Sequence, residues 1–337
     1  MISIDELKKI DSKKMFETYN IWDKLAQKYY SMKFEQIDFK NIDHVVFAGM
    51  GGSGTIGDIF SSILSKDNIH VSVIKGYLLP KTVDSDTLVV TTSVSGNTDE
   101  TINILKNAHD KNFKTISFSS GGKVKEFCNK NNLEYRNIPI HHSPRASLTP
   151  FLYSILNILN SLLPIKKNEV DESISQLEIM KKQISSINLT ENNNALQLAN
   201  EINGIPLVYY PHGLQSTAIR FKNSLQENAK IHAITENVIE ACHNGIVSWE
   251  KQSKVTPILL QGLDDHIKTK ERWNVLKKYF IEKNIDFKEV YSIKGNILTK
   301  IINLIYFLDY TSIYHAVLSK TDPTPVKSIE YIKNHLS

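Results

Sequence analysis

Cysteine is scarce in this sequence, and that limits the chemistry its thiols can supply. The chain has 337 residues and only two cysteines, Cys128 and Cys242. Two cysteines are too few for a disulfide framework or for a zinc site built on thiolates. His141 and His142 form the only tight histidine pair, and no acidic residue follows at the spacing of a ligand set. We therefore expect no metal, and we expect both cysteines to be buried fillers.

Long apolar runs and a surplus of one charge are also missing. No run reaches the roughly 18 apolar residues of a membrane-spanning helix, and the polar segment 2–9 lacks the apolar core of a signal peptide. The 40 basic and 36 acidic residues give a formal charge of only +4. We expect a cytoplasmic protein that binds neither membranes nor nucleic acid, although the mild positive charge is compatible with a small anionic substrate.

Glycine is not abundant, but it is concentrated in one short segment. The predicted strand His44–Ala48 runs into the sequence Gly49-Met50-Gly51-Gly52-Ser53-Gly54, and a helical pattern follows. Glycines let the backbone turn tightly and approach a ligand, and the free amides at a helix start attract an anion. This segment therefore predicts an anion site.

A second segment of the same kind follows the next buried strand. The strand Thr87–Thr92 leads into Ser93-Val94-Ser95-Gly96-Asn97-Thr98, and another helix begins near Asp99. Hydroxyl groups and free amides suit a phosphate, and two such loops at neighbouring strand ends suit a small phosphate monoester. The residues predicted to bind the phosphate are Gly51, Gly52, Ser53, Ser93, Ser95 and Thr98.

The first glycine segment does not fit the commoner nucleotide motifs. Gly49, Gly51 and Gly54 match the dinucleotide fingerprint, but that motif also needs an acidic residue after the second strand, and the strand at 71–76 supplies none. A nucleotide P-loop needs Lys followed by Ser or Thr after its last glycine, and Thr55 stands there instead. The pattern thus disfavours a nucleotide.

Strands alternate with helices in both halves, which predicts an α/β fold with parallel sheets flanked by helices. The second half is a weaker copy of the first. We expect an N-terminal domain at 1–164 with a helical arm, a connecting helix within 165–194, and a C-terminal domain at 195–337 that ends in a helix. Predicted strands lie at 44–48, 71–74, 87–92, 114–118, 134–138, 205–210, 256–261 and 287–291, and predicted helices at 100–109, 123–131, 148–163, 168–194, 215–230 and 267–281.

An ordered set of motifs resembles the bifunctional phosphoglucose/phosphomannose isomerases of the sugar isomerase (SIS) superfamily. The motifs are Gly49-Met50-Gly51-Gly52-Ser53-Gly54, Tyr77-Leu78-Leu79-Pro80, Ser93-Val94-Ser95-Gly96-Asn97-Thr98, Ser143-Pro144-Arg145, Glu227-Asn228-Ala229-Lys230, His243-Asn244 and Asp322-Pro323-Thr324-Pro325-Val326. The resemblance implies two doubly wound, flavodoxin-like SIS domains, a homodimer, and a sugar-phosphate isomerase that needs no cofactor. The sequence departs from the family at Val94, Asp99 and Gly245, where Tyr, Glu and Glu are common.

The chemistry of such an isomerase gives roles to residues at matching positions. A base must move a proton between two neighbouring carbons, and a carboxylate with a raised pKa can do so; Glu227 is our candidate. The resemblance implies that His243, contributed by the neighbouring subunit, and Lys333 open the sugar ring. Arg145 could stabilise the enediolate oxygen, and the turn at Thr324 is where we expect room for both sugars.

Two other function classes stay open. One is another SIS enzyme acting on a different sugar phosphate; an amidotransferase-type synthase would need a nucleophilic cysteine domain, which this sequence lacks. The other is a non-catalytic sugar-phosphate sensor. Such regulators usually carry a DNA-binding helix-turn-helix, and the residues before the first strand show no concentrated basic face.

Overall fold

The computed structural model describes residues 2–336, which form two compact units. We call residues 21–177 and 295–302 the five-strand unit, and residues 2–20, 178–294 and 303–336 the four-strand unit. The domain boundaries expected from the sequence stay a prediction, and the two units are described separately below.

Parallel β-sheets form the centre of both units, which confirms the predicted fold class. The strands are β1 (His44–Ala48), β2 (His70–Ile74), β3 (Thr87–Ser93), β4 (Lys114–Ser119), β5 (Glu134–Asn137), β6 (Ile205–Tyr210), β7 (Ile234–Asn237), β8 (Val255–Gln261) and β9 (Lys288–Tyr291). Each predicted strand is present within a residue or so of its expected bounds. The short strand β7 was not predicted.

Helices connect the strands. They are α1 (Ile4–Ile10), α2 (Met15–Tyr19), α3 (Trp22–Ser31), α4 (Gly52–Ile63), α5 (Asp99–Asp110), α6 (Gly122–Lys130), α7 (Leu148–Ile158), α8 (Lys167–Ile184), α9 (Asn194–Glu201), α10 (Gln215–Ser224), α11 (Val238–Ala241), α12 (Ile267–Glu282), α13 (Ile297–Leu318) and α14 (Lys327–His335). The helix predicted at 215–230 ends early, because α10 is followed by a π-helical turn at Leu225–Ala229. The connecting helix is also shorter than predicted, since α8 ends at Ile184.

The sheet of the five-strand unit has the order β2-β1-β3-β4-β5. Strand β1 pairs in parallel with both β2 and β3, so Val45 lies between Val71 and Leu88. Every residue of β1 and β3 is buried. Apolar residues in an unbroken run are typical of parallel strands that helices cover on both faces. Because all strands of this sheet are parallel, their carboxyl ends lie at one edge, the edge where such folds bind ligands.

The sheet of the four-strand unit repeats this order as β7-β6-β8-β9. Its core contains Trp249, Trp273 and Phe280 packed against β6 and β8. The indole of Trp249 donates a hydrogen bond to the hydroxyl of Tyr209 at 2.9 Å. Burial raises the pKa of Tyr209 to about 12, so this hydroxyl stays protonated. The order β7-β6-β8-β9 corresponds to β2-β1-β3-β4 of the other sheet, as expected if the second half of the chain repeats the fold of the first.

Helix α13 was not predicted, although it is the longest in the chain between residues 2 and 336. By length and composition it could cross a membrane, but 83% of its most apolar window is buried inside the protein. Its polar residues Asp309, Thr311 and Ser312 are all buried as well. Burial on all sides is typical of a core helix.

The carboxylate of Asp309 is the central polar group of the four-strand unit. It forms an ion pair with the guanidinium of Arg220, whose Nη2 lies 2.7 Å away, and both side chains are almost completely buried. Asp309 also accepts hydrogen bonds from the hydroxyls of Tyr19 at 3.0 Å and Ser224 at 2.6 Å. The buried charge is thus neutralised and hydrogen-bonded by groups from α2 and α10.

Replacing Arg220 with methionine should destabilise the protein strongly, because it leaves the buried Asp309 carboxylate without its cation. We expect Arg220→Met to lower the free energy of unfolding by about 3–5 kcal/mol in urea titrations. Lys268→Met is the matched control, since Lys268 pairs with Glu271 on the exposed face of α12 and exposed pairs contribute about 0–1 kcal/mol. Equal losses in the two variants would contradict the importance of the buried pair.

Candidate active site

The first glycine segment forms the tight connection between β1 and α4 that the sequence predicts. A Cβ atom built on Gly49 would lie 2.9 Å from the carbonyl oxygen of Thr92, so only glycine lets the ends of β1 and β3 approach this closely. Gly51 has a φ of +54°, which favours glycine. Because α4 begins at Gly52, the amides of its first turn lie at the carboxyl edge of the sheet.

The second segment turns from β3 into α5. A Cβ atom on Gly96, whose φ is +73°, would lie 1.8 Å from the carbonyl oxygen of Gly121, which no side chain could tolerate. The Ser93 hydroxyl donates to Thr98 Oγ1 at 3.0 Å and accepts a bond from the Gly96 amide at 3.1 Å. The loop is therefore held by its own hydroxyls.

One hydrogen bond joins the two loops. The amide of Val94 donates to Ser53 Oγ at 3.2 Å, and Ser53 is buried. The structure thus brings together the six residues predicted to bind phosphate, at adjacent strand ends of the five-strand unit. Their binding role stays a prediction.

Arg145 belongs to the same unit. It follows β5, whose exit is fixed where the Ile138 amide donates to the carbonyl of Ser119 at 2.9 Å. The loop around Arg145 is closed by Ser147 Oγ, which accepts from the His141 amide at 2.9 Å and donates to the carbonyl of Ser143 at 2.9 Å. Arg145 is buried, and arginine is rarely buried unless its charge is paired.

Glu227 lies in the four-strand unit, within the π-helical turn that follows α10. Glu227 is half-buried, and Leu225 and Asn228 in the same turn are buried. Single π-helical turns are rare and occur often at functional sites. Glu227, the predicted base, therefore lies in a segment of unusual backbone conformation.

The remaining predicted residues also lie in the four-strand unit. His243 is exposed just beyond α11, and its amide donates to the carbonyl of Glu240 at 2.9 Å. Thr324 lies in the turn before α14, where its amide donates to Asp322 Oδ1 at 3.0 Å. Lys333 is exposed on α14, which has no buried residue. The proposed roles of these three side chains stay predictions.

Sequence reasoning missed Glu236. A Cβ atom on Gly245 would lie 2.4 Å from Glu236 Oε1, so this carboxylate occupies the space that a side chain at position 245 would take. Partial burial, and then the charge of Glu240, raise the pKa of Glu236. The sequence did contain one signal for Glu236. Position 245 is glycine where the family commonly has glutamate, and the absence of that side chain leaves room for the Glu236 carboxylate.

His141 and the two cysteines, for which the sequence predicts no metal site, have ordinary surroundings. Among residues 2–336, no group of three or more His, Cys, Asp or Glu side chains is arranged to hold a metal ion. His141 Nε2 lies 3.0 Å from the Tyr29 hydroxyl, and burial lowers the pKa of this histidine. Cys128 is buried and Cys242 half-buried, both as free thiols. A metal-free and cofactor-free reaction stays a prediction.

The sequence of this chain is similar to those of known proteins. Residues 191–336 match the family described as "Bacterial phospho-glucose isomerase C-terminal SIS domain". The chain is 32% identical over 335 residues to a bifunctional phosphoglucose/phosphomannose isomerase of Caldicellulosiruptor bescii, covering 96% of this chain and 99% of the relative. A protein of the same name from Aquifex aeolicus is 31% identical, over 91% of this chain and 95% of the relative.

A solved structure shows the same fold. A hypothetical protein of Thermus thermophilus superposes with a TM-score of 0.75 at 12% identity, covering 98% of this chain and 92% of the other. At such low identity the match bears on the fold alone.

The raised pKa of Glu236 predicts a pH-dependent stability difference. A carboxyl group whose pKa is higher in the folded state stabilises the fold below its unfolded pKa, and that contribution is lost as the pH rises through the folded pKa. Relative to wild type, Glu236→Gln should therefore gain stability at neutral pH, lose this gain as the pH falls through the raised folded pKa, and keep none of it below the unfolded value of about 4.5. Urea titrations from pH 4 to pH 8 measure this, with Glu250→Gln as an exposed control. A gain that is constant with pH would show that ionisation is not its cause.

Proposed function

Because the chain belongs to the bifunctional phosphoglucose/phosphomannose isomerase family, we propose that it interconverts glucose 6-phosphate and mannose 6-phosphate with fructose 6-phosphate. The relatives from Caldicellulosiruptor bescii and Aquifex aeolicus have this name, and this chain matches nearly their whole length. The reaction is an aldose-ketose isomerisation through ring opening and a cis-enediol intermediate.

The observation that best supports this function is the pair of loops joined by the bond between Val94 and Ser53. Two helix starts and several hydroxyls converge at the carboxyl ends of β1 and β3. Amides and hydroxyls at two adjacent helix starts suit a dianionic phosphate monoester. In this proposal Gly51, Gly52, Ser53, Ser93, Ser95 and Thr98 bind the phosphate group of the sugar.

The rest of the reaction is proton transfer. Ring opening needs an acid for the ring oxygen and a base for the anomeric hydroxyl, and we assign these steps to His243 and Lys333. Glu227 then removes the proton from carbon 2 and returns it to carbon 1, while Arg145 balances the charge on the enediolate oxygen. No electron leaves the substrate, so the chemistry needs no redox cofactor.

Both aldoses can share one site because they differ only at carbon 2, which becomes planar in the enediol. Accepting both requires rotation about the bond between carbons 2 and 3, and the turn at Thr324 is our candidate for that space. We also propose that the protein is a cytoplasmic homodimer that acts in central carbohydrate metabolism, with His243 of one subunit serving the site of its partner.

Glu227→Gln should abolish turnover while the fold persists. The amide keeps the shape of the side chain but cannot accept the proton, so kcat should fall by about 10²–10⁴-fold for each of the two aldose phosphates. Exchange of the substrate's carbon-2 hydrogen with deuterated water should fall in parallel. The control Glu250→Gln makes the same chemical change at an exposed position. If a folded Glu227→Gln protein turns over normally, Glu227 is not the base, and if wild type converts neither sugar, the proposed function is wrong.

Mixing two inactive variants tests the contribution of His243 across subunits. A dimer of one Glu227→Gln subunit and one His243→Ala subunit would contain one site with both wild-type groups. Random re-association should then restore roughly a quarter of wild-type activity. Mixing Glu227→Gln with the double variant should restore nothing. Absence of recovery in the first mixture would place His243 in the site of its own subunit.

A further inference from the structure

We infer that Lys230 is a positioning residue: its ammonium group holds the π-helical turn that carries Glu227 and joins this turn to the segment before Thr324. The inference rests on the proposed function, because it takes Glu227 as the base. Lys230 is exposed, and its place in the motif Glu227-Asn228-Ala229-Lys230 does not by itself indicate a role.

The ammonium group of Lys230 faces three main-chain carbonyl oxygens. It donates to the carbonyl of Glu227, to that of Pro323 at 3.2 Å and, at the limit of hydrogen-bonding distance, to that of Asn228 at 3.5 Å. An ammonium group has three N–H donors and no acceptor, so three carbonyls can satisfy it completely. Hydrogen bonds from a charged donor are stronger than those between neutral groups.

The bond from Lys230 to the carbonyl of Glu227 matches the way the turn ends. In a continuing α-helix it would accept a bond from the amide of Ile231. Here the amides of Lys230 and Ile231 both point back to the carbonyl of Leu225, the latter at 3.4 Å. The side chain of Lys230 therefore takes the place of the missing amide, and its positive charge is favourable at a helix carboxyl terminus.

The backbone of Lys230 supports a role for its side chain. With a φ of +60° and a ψ of 31°, this residue adopts the left-handed conformation, where glycine or asparagine would be less strained. A lysine at such a position stabilises the turn less through its backbone than glycine would. Strain of this kind is tolerated where the side chain makes a specific contribution.

The buried side of the turn is already fixed by other contacts. Asn228 is completely buried, and its amide donates to Ser312 Oγ at 2.9 Å. Ser312 in turn donates to the carbonyl of Asp309 at 2.7 Å. Lys230 is thus the corresponding contact on the solvent side of the turn. In this inference, loss of the Lys230 contacts loosens the turn and therefore the placement of the Glu227 carboxylate.

The other end of the contact is the segment that leads to Thr324. Pro323 provides the carbonyl, and the neighbouring Asp322 accepts bonds from the Thr324 amide at 3.0 Å and from the Ser12 hydroxyl at 2.6 Å. Lys230 therefore connects the turn of the base to a loop that is itself held at two points. Both partners lie in the four-strand unit.

Lys230→Gly separates positioning from stability. Glycine relieves the left-handed backbone, so the melting temperature should stay the same or rise. The loss of the ammonium group should lower kcat by about 10- to 100-fold, because small misplacements of a catalytic group have effects of this size. KM should change by less than about twofold, since the phosphate loops are untouched. The exchange of the carbon-2 hydrogen with deuterated water should fall together with kcat.

Lys320→Gly is the matched control. Lys320 also has a positive φ, of +57°, and also follows a helix, but its ammonium group pairs with Glu6 at 2.8 Å. This variant should keep wild-type kcat. Lys230→Arg, which retains the charge but not the compact three-donor geometry, should recover part of the activity lost in Lys230→Gly.

The outcomes distinguish this inference from the proposed function. Wild-type kcat in Lys230→Gly, with Glu227→Gln inactive, would overturn the positioning role and leave the base in place. A lower melting temperature that accounts for all lost activity would overturn it too, because Lys230 would then be only structural. Normal turnover in Glu227→Gln would instead refute the proposed base.

Discussion

The four-strand unit depends on one buried charge, the carboxylate of Asp309. Removing an ionised carboxylate from water is costly unless donors replace the lost hydration. Here the guanidinium of Arg220 and the hydroxyls of Tyr19 and Ser224 replace it, and they come from two further helices. Since each donor must keep its place, the charge fixes α10 relative to α13. The π-helical turn with Glu227 starts where α10 ends, so its position follows from the same constraint.

In the five-strand unit the corresponding constraint is steric. The carbonyl oxygens of Thr92 and Gly121 leave no room for a Cβ atom at Gly49 and Gly96. Sequence reasoning could find these loops, because a glycine forced by the backbone remains visible as a pattern of glycines after an apolar strand. The parallel sheets could be predicted for a similar reason, because buried parallel strands leave unbroken apolar runs.

The features that the sequence did not reveal depend on partners distant in the chain. Nothing in residues 225–229 forbids an α-helix, and the π-helical turn is held by the contact of Asn228 with Ser312 and by the contact of Lys230 with Pro323. Strand β7 is short and only partly buried, so its pattern is weak. Helix α13 contains polar residues such as Asp309 at core positions, which interrupt the apolar pattern although each has a partner.

In the proposed reaction, the phosphate loops and the turn that carries Glu227 serve tasks with different mechanical requirements. A phosphate group is bound equally well before and during the reaction, so its site contributes uniform binding and can be built from backbone amides that glycine sterics hold in place. A base acts only in the transition state, and there its orientation relative to one carbon decides the rate. Glu227 accordingly stands on a turn whose buried side is fixed by Asn228 and whose exposed side is fixed by Lys230. In this proposal, binding uses loops whose shape glycine sterics maintain, whereas proton transfer also needs side chains that hold the main chain beneath the base.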